Sequence, residues 1–163
     1  NSDTVGIVKP LMQRTQLQEK RVTLLGAGGA ARAAAAALIE HGARVTILNR
    51  TVDRAEQLAR ELGCASGSLE AFEPENTDIL VNMTSVGMHP EIDAMPIPAE
   101  KLRGILVFDG VYNPPETKLL RTAAQAGCIT IPGIEMFINQ AAEQFRLWTG
   151  IDPDLKLMQE ILS

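Results

Sequence analysis

The 163-residue chain has few cysteines, no block of basic residues and no long apolar run. Its two cysteines, Cys64 and Cys128, lack the spacing of metal ligands, so we expect small core residues of a reducing compartment rather than a zinc site or a disulfide. The formal charge of −5 includes no basic cluster, which argues against a nucleic-acid partner. No stretch approaches the roughly 18 consecutive apolar residues of a membrane-spanning helix, and no export signal is visible. These absences indicate a cytoplasmic protein without membrane contact.

Length and composition allow one compact domain. With 45% hydrophobic residues, a chain of 163 residues can build one core but not two full ones. The chain begins with Asn1 rather than methionine, so we expect it to be a piece of a longer protein or a processed product. Apolar residues recur at helical spacing between Thr4 and Gln16, which predicts a helix that could pack on a neighbouring domain.

A glycine-rich turn joins a short apolar strand to an alanine-rich helix within residues 22–38. Gly26 suits the tight turn after the strand, Gly28 lets the backbone approach a pyrophosphate, and Ala31 keeps the third position small for close helix packing. The helix that begins near Gly29 directs its free N–H groups and positive dipole end towards an anion. The stretch predicts a dinucleotide phosphate site, although glycine turns after strands are often only structural.

The residues after the second predicted strand, at 44–48, indicate which dinucleotide binds. Proteins that bind NAD place Asp or Glu at this strand end, where it faces the adenosine ribose. This chain has Asn49, Arg50 and Thr51 instead, with Arg54 one helical turn beyond. Two guanidinium groups beside amide and hydroxyl groups provide the charge and donors that a 2′-phosphate requires, which predicts NADP. The alternative is that Thr51 caps the following helix and the arginines are solvated surface charges.

Strands and helices alternate along the rest of the chain, which predicts an α/β fold with a Rossmann-like, doubly wound sheet. We expect about six mostly parallel strands with helices on both faces. After a short segment near Cys64, strands are predicted at 78–82, 105–109 and 128–131, and helices at 52–62, 115–126 and 155–162. Ligands gather at the carboxyl ends of such strands, where three loops should line one crevice: residues 82–88, 109–113 and 132–136.

The last long helix carries apolar residues at helical spacing. Its predicted core-facing residues are Ile134, Phe137, Ile138, Ala141, Phe145 and Trp148. Met136 and Gln140 share a neighbouring flank, four residues apart. Periodicity alone favours core packing for Met136 and solvent exposure for Gln140.

Taken together, these segments resemble the nucleotide-binding half of the shikimate dehydrogenase family, over nearly the whole chain. The matching segments are residues 1–3, 26–32, 49–51 with Arg54, 82–88, Tyr112 and 133–140. Enzymes of that family interconvert 3-dehydroshikimate and shikimate with NADP(H). The resemblance therefore implies an NADP-dependent oxidoreductase of the chorismate pathway of aromatic amino acid biosynthesis.

The resemblance also implies roles for individual residues. Arg50 and Arg54 would bind the 2′-phosphate, whereas Tyr112 and Gln140 would reach the substrate. The implied cofactor-binding residues are Gly26, Ala27, Gly28, Gly29, Ala30, Asn49, Arg50, Thr51, Arg54, Thr84, Ser85, Val111, Gly133 and Met136. Asp3 matches the family's catalytic carboxylate, whose partner is a lysine, and no metal is implied.

The family places that lysine and the serine-rich site for the substrate carboxylate in an N-terminal domain that would precede Asn1. We therefore expect residues 1–18 to be a linker helix from that missing domain, and residues 19–163 to be an NADP-binding domain that is inactive alone. Three functions stay open: a shikimate dehydrogenase, another two-domain dehydrogenase acting on quinate or a folate-type substrate, and a non-catalytic NADP-binding module. A dehydratase fused upstream is also an open possibility.

Overall fold

Six strands and six α-helices make up the computed structural model, which describes residues 2–162 apart from the side chains of Ser2, Asp3 and Leu162. The strands are β1 (Arg21–Leu25), β2 (Arg44–Leu48), β3 (Ala65–Gly67), β4 (Ile79–Asn82), β5 (Leu106–Asp109) and β6 (Ile129–Ile131). The helices are α1 (Ser2–Met12), α2 (Gly29–Glu40), α3 (Val52–Leu62), α4 (Lys118–Gln125), α5 (Gly133–Thr149) and α6 (Leu155–Leu162).

All strands of the described chain pair in parallel, in the order β3-β2-β1-β4-β5-β6. The order reverses between β1 and β4, so the loops that follow these strands diverge and open a crevice at the carboxyl ends. Strands covered on both faces are continuous apolar runs, and every residue of β4 and β5 is buried. The predicted Rossmann-like sheet of six strands is confirmed, and it is wholly parallel.

Alternate strand residues contribute to two hydrophobic clusters, one on each face of the sheet. Leu24 and Ile47 belong to a cluster with buried residues of α1, α2 and α3. Their neighbours Leu25 and Leu48 belong to a second cluster with buried residues of α4. The side-chain period of two in a strand explains the division, and helices cover both faces as predicted.

The N-terminal helix α1 contributes to the first cluster through Ile7 and Leu11, both fully buried. It also approaches α5 closely at Gly6. A Cβ added there would lie 2.5 Å from Cγ of Gln140 and 2.9 Å from the carbonyl oxygen of Met136. The helix ends at residue 12, before the predicted end at residue 16.

Helix α4 begins later than the sequence suggested. The prediction placed its start at Pro115, whereas the first helical residue is Lys118. Thr117 is the N-cap, and its Oγ1 accepts a hydrogen bond from the Leu120 N–H at 3.3 Å. A hydroxyl that satisfies a free amide of the first turn defines where the helix starts.

The predicted core-facing stripe of α5 is wrong for its aromatic residues. Phe137, Phe145 and Trp148 are 37%, 41% and 82% exposed. The buried residues of this helix are instead Gly133, Ile138 and Ala142. All residues from 144 to 149 are exposed, so the last turns of the helix are not buried by any described element. Periodicity locates an apolar stripe, but it does not reveal whether another element packs on it.

Candidate cofactor site

The glycine turn at residues 26–29 joins β1 to α2 at the crevice. Gly26 has a φ of +111°, and a Cβ added there would lie 3.0 Å from the carbonyl oxygen of Met83, so the fold itself requires glycine. Gly28 has an ordinary φ of −90°. A Cβ added to Gly28 or Gly29 would meet no protein atom within 4 Å. The packing of the protein therefore leaves the space in front of these two glycines open.

The N-terminus of α2 presents its first amide groups to that open space. Its N-cap, Gly28, provides no side-chain cap, and its first turn contains no acidic residue. Free N–H groups and the positive end of the helix dipole favour an anion at this position. Two alanines in and next to the turn are also predicted to contact the cofactor, and they differ in exposure: Ala27 packs against the core, whereas Ala30 is exposed.

Two unpaired arginines follow the end of β2. Arg50 and Arg54 are exposed, and their side chains make no hydrogen bond or ion pair with any described residue. Among the other described arginines, only Arg60 shares this property. Thr51 occupies the N-cap position of α3, but its hydroxyl makes no capping bond. The side-chain amide of Asn49 donates to the carbonyl oxygen of Thr51 at 2.9 Å, so these polar residues shape a loop that leaves both guanidinium groups available.

A cleft of about 320 Å³ opens between the loops that follow β4 and β5. Six of the residues predicted to contact cofactor or substrate line it: Ala30, Thr84, Ser85, Val111, Tyr112 and Met136. Met83, Met88, Gly110 and Asn113 complete the lining. Met136 is half-buried and packs against the core while it also lines the cleft. The structure thus brings residues from four separate segments of the chain to one cavity.

The two predicted substrate residues lie in different surroundings. Tyr112 is 53% exposed, and its ring stacks on Phe137 with centroids 5.4 Å apart. This places an aromatic side chain at the rim of the cleft. Gln140 is half-buried, lies against Gly6 of α1 and does not line the cleft.

A buried hydrogen-bond network adjoins the cleft at the ends of β4 and β5. The fully buried carboxylate of Asp109 accepts through Oδ1 from Nδ2 of Asn82 at 2.9 Å and from the Val111 N–H at 3.0 Å. Its Oδ2 accepts from the hydroxyl of Thr117 at 2.6 Å. Oδ1 of Asn82 then accepts from both the backbone N–H and the hydroxyl of Thr84, at 3.1 and 2.7 Å.

Sequence reasoning identified these strand ends as loops but missed the network. The available indication was that a polar residue ends each of two otherwise apolar strands, at 79–82 and 106–109. The parallel register then pairs Asn82 with Asp109. Burial raises the pKa of the Asp109 carboxyl, and its three hydrogen bonds oppose that shift. Thr117 could not be identified from spacing, because its contact with Asp109 depends on how the loop folds back.

Gly133, predicted as a cofactor residue, begins α5 in a crowded position. A Cβ added there would lie 2.4 Å from the carbonyl oxygen of Val111 and 2.9 Å from that of Asp109. Glycine therefore allows α5 to begin against the loop that follows β5. Internal packing is sufficient to explain this residue, and a contact with the cofactor stays a prediction.

The remaining site prediction concerns Asp3. This residue belongs to α1, and its side chain lies outside the described residues. Within residues 2–162, no group of three or more His, Cys, Asp or Glu side chains could hold a metal ion. The helices of the same region are all too short or too polar to cross a membrane.

Sequence comparison relates the chain to one dehydrogenase family. The family model described as shikimate / quinate 5-dehydrogenase matches residues 9–89, and the one described as shikimate 5'-dehydrogenase C-terminal domain matches residues 133–162. The NADP(+) shikimate dehydrogenase of Methanosarcina mazei is 44% identical over 98% of this chain and 61% of its own length. The chain spans about three fifths of the length of the curated relatives that it first matches.

Structural comparison agrees with the sequence matches. A crystal structure of a shikimate dehydrogenase in complex with NADP+ superposes with a TM-score of 0.91 at 35% identity, over 99% of this chain and 60% of that one. The Thermus thermophilus shikimate 5-dehydrogenase, solved with NADP(H) and shikimate, gives a TM-score of 0.89 at 39% identity, over 99% of this chain and 61% of that one. The matched segments, the identity over nearly the whole chain and the shared fold show that the chain belongs to the shikimate dehydrogenase family.

Proposed function

We propose that this chain is the NADP-binding part of a shikimate dehydrogenase, which uses NADPH to reduce 3-dehydroshikimate to shikimate. The observation that carries the proposal is the pair of unpaired arginines, Arg50 and Arg54, at the strand end that faces the adenosine ribose in this fold. A 2′-phosphate on that ribose would satisfy both guanidinium groups. The names of the relatives, and the NADP found in two similar crystal structures, support the same cofactor.

The residues present fit a dinucleotide along the crevice. The pyrophosphate would lie in the open space at Gly28 and Gly29, against the uncapped N-terminus of α2. The nicotinamide would enter the 320 Å³ cleft. The residues that we propose for the whole cofactor are Gly26, Ala27, Gly28, Gly29, Ala30, Asn49, Arg50, Thr51, Arg54, Thr84, Ser85, Val111, Gly133 and Met136.

The chemistry of the reduction is divided between cofactor and protein. NADPH supplies the hydride that the ketone carbon of the substrate accepts. Met136 and Val111 would exclude water from the cleft, and Tyr112 and Gln140 would contact the substrate. The proton for the new hydroxyl oxygen would come from a general acid, for which we propose Asp3 together with a lysine of the whole protein.

The division of the chain follows from the same proposal. Residues 1–18 would link an N-terminal substrate domain to the NADP-binding domain at 19–163, and the greater length of the relatives supports such an additional domain. The buried face of α1 would anchor that connection to the core. The whole protein would work in the cytoplasm, where the two free cysteines of this chain, Cys64 and Cys128, stay reduced.

Calorimetric titration of this chain with NADP+ and NAD+ tests the cofactor assignment. Arg50→Ala should weaken NADP+ binding by roughly ten- to a hundredfold and leave NAD+ binding nearly unchanged, since losing a charged hydrogen bond costs about 1.5 to 3 kcal/mol. Arg60→Ala is the matched control, because Arg60 is the other unpaired arginine but lies in the last turn of α3. Equal wild-type affinities for the two dinucleotides would contradict the proposal.

Turnover measurements test the activity and the division of labour. The whole protein should form NADPH when given shikimate and NADP+, whereas this chain alone should not, because it would lack the lysine partner of Asp3 and the orienting domain. A higher turnover rate with quinate than with shikimate would identify a quinate dehydrogenase instead. A whole protein that binds NADP+ but turns over neither substrate would support a non-catalytic binding module instead.

A further inference from the structure

Asp109 has a carboxylate with no cationic partner among the described residues. It has no exposed surface, and its hydrogen-bond partners are a side-chain amide, a backbone amide and a hydroxyl. Burying a carboxylate costs free energy, and apolar residues of similar size often replace buried charges without loss of stability. Stability alone is therefore a weak explanation for a carboxylate at this position.

Asp109 orients the side chain that begins the network on one wall of the cleft, Asn82. Oδ1 of Asp109 accepts from the Val111 N–H, so Asn82 donates to the same oxygen through its NH₂ group and turns its own oxygen towards Thr84. That oxygen takes the hydroxyl proton of Thr84 at 2.7 Å, which leaves Thr84 Oγ1 to accept from the Val86 N–H at 3.1 Å. Asp109 and the Thr84 backbone N–H thus fix the amide orientation of Asn82 together, and Asn82 in turn orients the hydroxyl of Thr84.

The same carboxylate oxygen reaches the opposite wall of the cleft. Oδ1 of Asp109 accepts from the Val111 N–H as well as from Asn82. Thr84 and Val111 both line the cleft, one from the loop after β4 and the other from the loop after β5. The two loops are therefore tied to one atom, and their separation at this point depends on it.

We propose that Asp109 is a positioning residue for the nicotinamide end of the cofactor, acting through Asn82 and Thr84 on one wall of the cleft and through Val111 on the other. Asp109 is fully buried, so it would act without touching the ligand. The inference rests on the proposed function and adds a residue that governs the width of its nicotinamide cleft.

The test compares two ligands, NADP+ and 2′-phospho-ADP-ribose, which lacks only the nicotinamide. Asp109→Leu removes the acceptor for both walls, so NADP+ affinity should fall by about tenfold or more, as expected when a positioned contact is lost. Affinity for 2′-phospho-ADP-ribose should change by less than about twofold, because the glycine turn and Arg50 are untouched. An equal loss for both ligands, or no loss for NADP+, would overturn the inference.

Two matched variants separate positioning from stability. Asp109→Asn can keep its amide oxygen towards Asn82 and Val111 and turn its NH₂ towards Thr117, so NADP+ affinity should stay within about threefold of the wild type. Thr117→Val removes the hydrogen bond on the far oxygen, Oδ2, and should lower the melting temperature without a selective loss of NADP+. A tenfold selective loss in Thr117→Val would assign the effect to general destabilisation and refute the proposal.

A further variant covers the case in which Asp109→Leu does not fold. Asn82→Ala removes the connection to Thr84 but leaves the bonds of Asp109 to Val111 and Thr117 in place. It must show the same selective loss of NADP+ affinity, or the inference fails. If the wild type binds both ligands and no variant is selective, only this inference is refuted. If the wild type binds neither ligand, the proposed function fails together with it.

Discussion

Charged side chains form ion pairs at one edge of the sheet but lack charged partners at the other. At the amino-terminal edge, basic side chains of the loops and strand starts form ion pairs with nearby carboxylates: Arg21 with Asp78, Arg44 with Glu19, Lys101 with Glu73 and Arg103 with Glu75. At the carboxyl-terminal edge, Arg50 and Arg54 have no partner among the described residues, and Asp109 is buried among neutral donors.

The difference separates features that the fold explains from features that it does not. Ion pairs at the amino-terminal edge are satisfied within the protein, and such exposed pairs contribute little individually. At the other edge, the unpaired arginine side chains have no partner within the described protein, and its packing does not require the two open glycines, Gly28 and Gly29. A ligand is the simplest partner for both, so changes at the two edges should affect different measurements.

The largest effect is expected at the glycine turn. Gly28→Val should lower the affinity for NADP+ by roughly five- to 150-fold, because the branched side chain would fill the space left for the pyrophosphate, and steric overpacking costs about 1 to 3 kcal/mol. The melting temperature without ligand should stay close to that of the wild type, since Gly28 has an extended backbone that valine readily adopts. Calorimetry and thermal unfolding measure the two quantities.

The control for this variant is Ala36→Val, at an exposed position of the same helix. It introduces the same side chain away from the glycine turn and should bind NADP+ normally. If Gly28→Val also binds NADP+ normally while it is folded, the glycine turn has only a structural role.

Substitution of a second glycine at the same edge, Gly133, should lower the stability of the protein, in contrast to substitution of Gly28. Gly133→Ala would place a Cβ 2.4 Å from the carbonyl oxygen of Val111, so the start of α5 must shift. We expect a loss of about 1 to 3 kcal/mol in the free energy of unfolding, which lowers the melting temperature by roughly 2 to 4 °C per kcal/mol. Gly29→Ala is the matched control, because its Cβ meets no protein atom and alanine favours the helix. A Gly133→Ala protein as stable as the wild type would show that internal packing does not require this glycine.

The parts of the fold that depend on local sequence could be predicted. The glycine turn lies where predicted, and α3 and α6 occupy the predicted ranges 52–62 and 155–162. Arg50 and Arg54 could be identified because they belong to the same short segment as the strand end. Each of these features depends on residues that are neighbours in the chain.

Features that depend on distant contacts could not be predicted. The pairing of Asn82 with Asp109 follows from strand order and register, which a strand pattern does not contain. The exposure of Trp148 depends on whether any other element covers the end of α5, and helical periodicity is the same in both cases. The sequence therefore located the polar strand ends without showing how they bond to each other.

The smallest effect is expected at the amino-terminal edge, in the ion pair of Arg21 with Asp78. The Asp78 carboxylate accepts from the backbone N–H, Nε and Nη2 of Arg21 at 2.8, 3.2 and 2.8 Å. These hydrogen bonds lower the pKa of Asp78 to about 2, although partial burial of the carboxylate opposes the shift. Because the folded pKa lies below the unfolded value of about 3.9, the pair stabilises the protein above pH 4 and loses this contribution as the pH falls towards 2.

Asp78→Asn should therefore lower the free energy of unfolding near pH 7 by no more than about 1 kcal/mol, since the pair is partly exposed and screened by solvent. The difference from the wild type should vanish between about pH 4 and pH 2, and higher salt should reduce it. Subtracting the wild-type curve removes the contributions of other groups, including Asp109. NADP+ affinity should not change, because Asp78 precedes β4 at the edge opposite the glycine turn. A difference that persists at pH 2 would contradict the role of the Asp78 charge, and a loss of cofactor affinity would contradict the separation of the two edges.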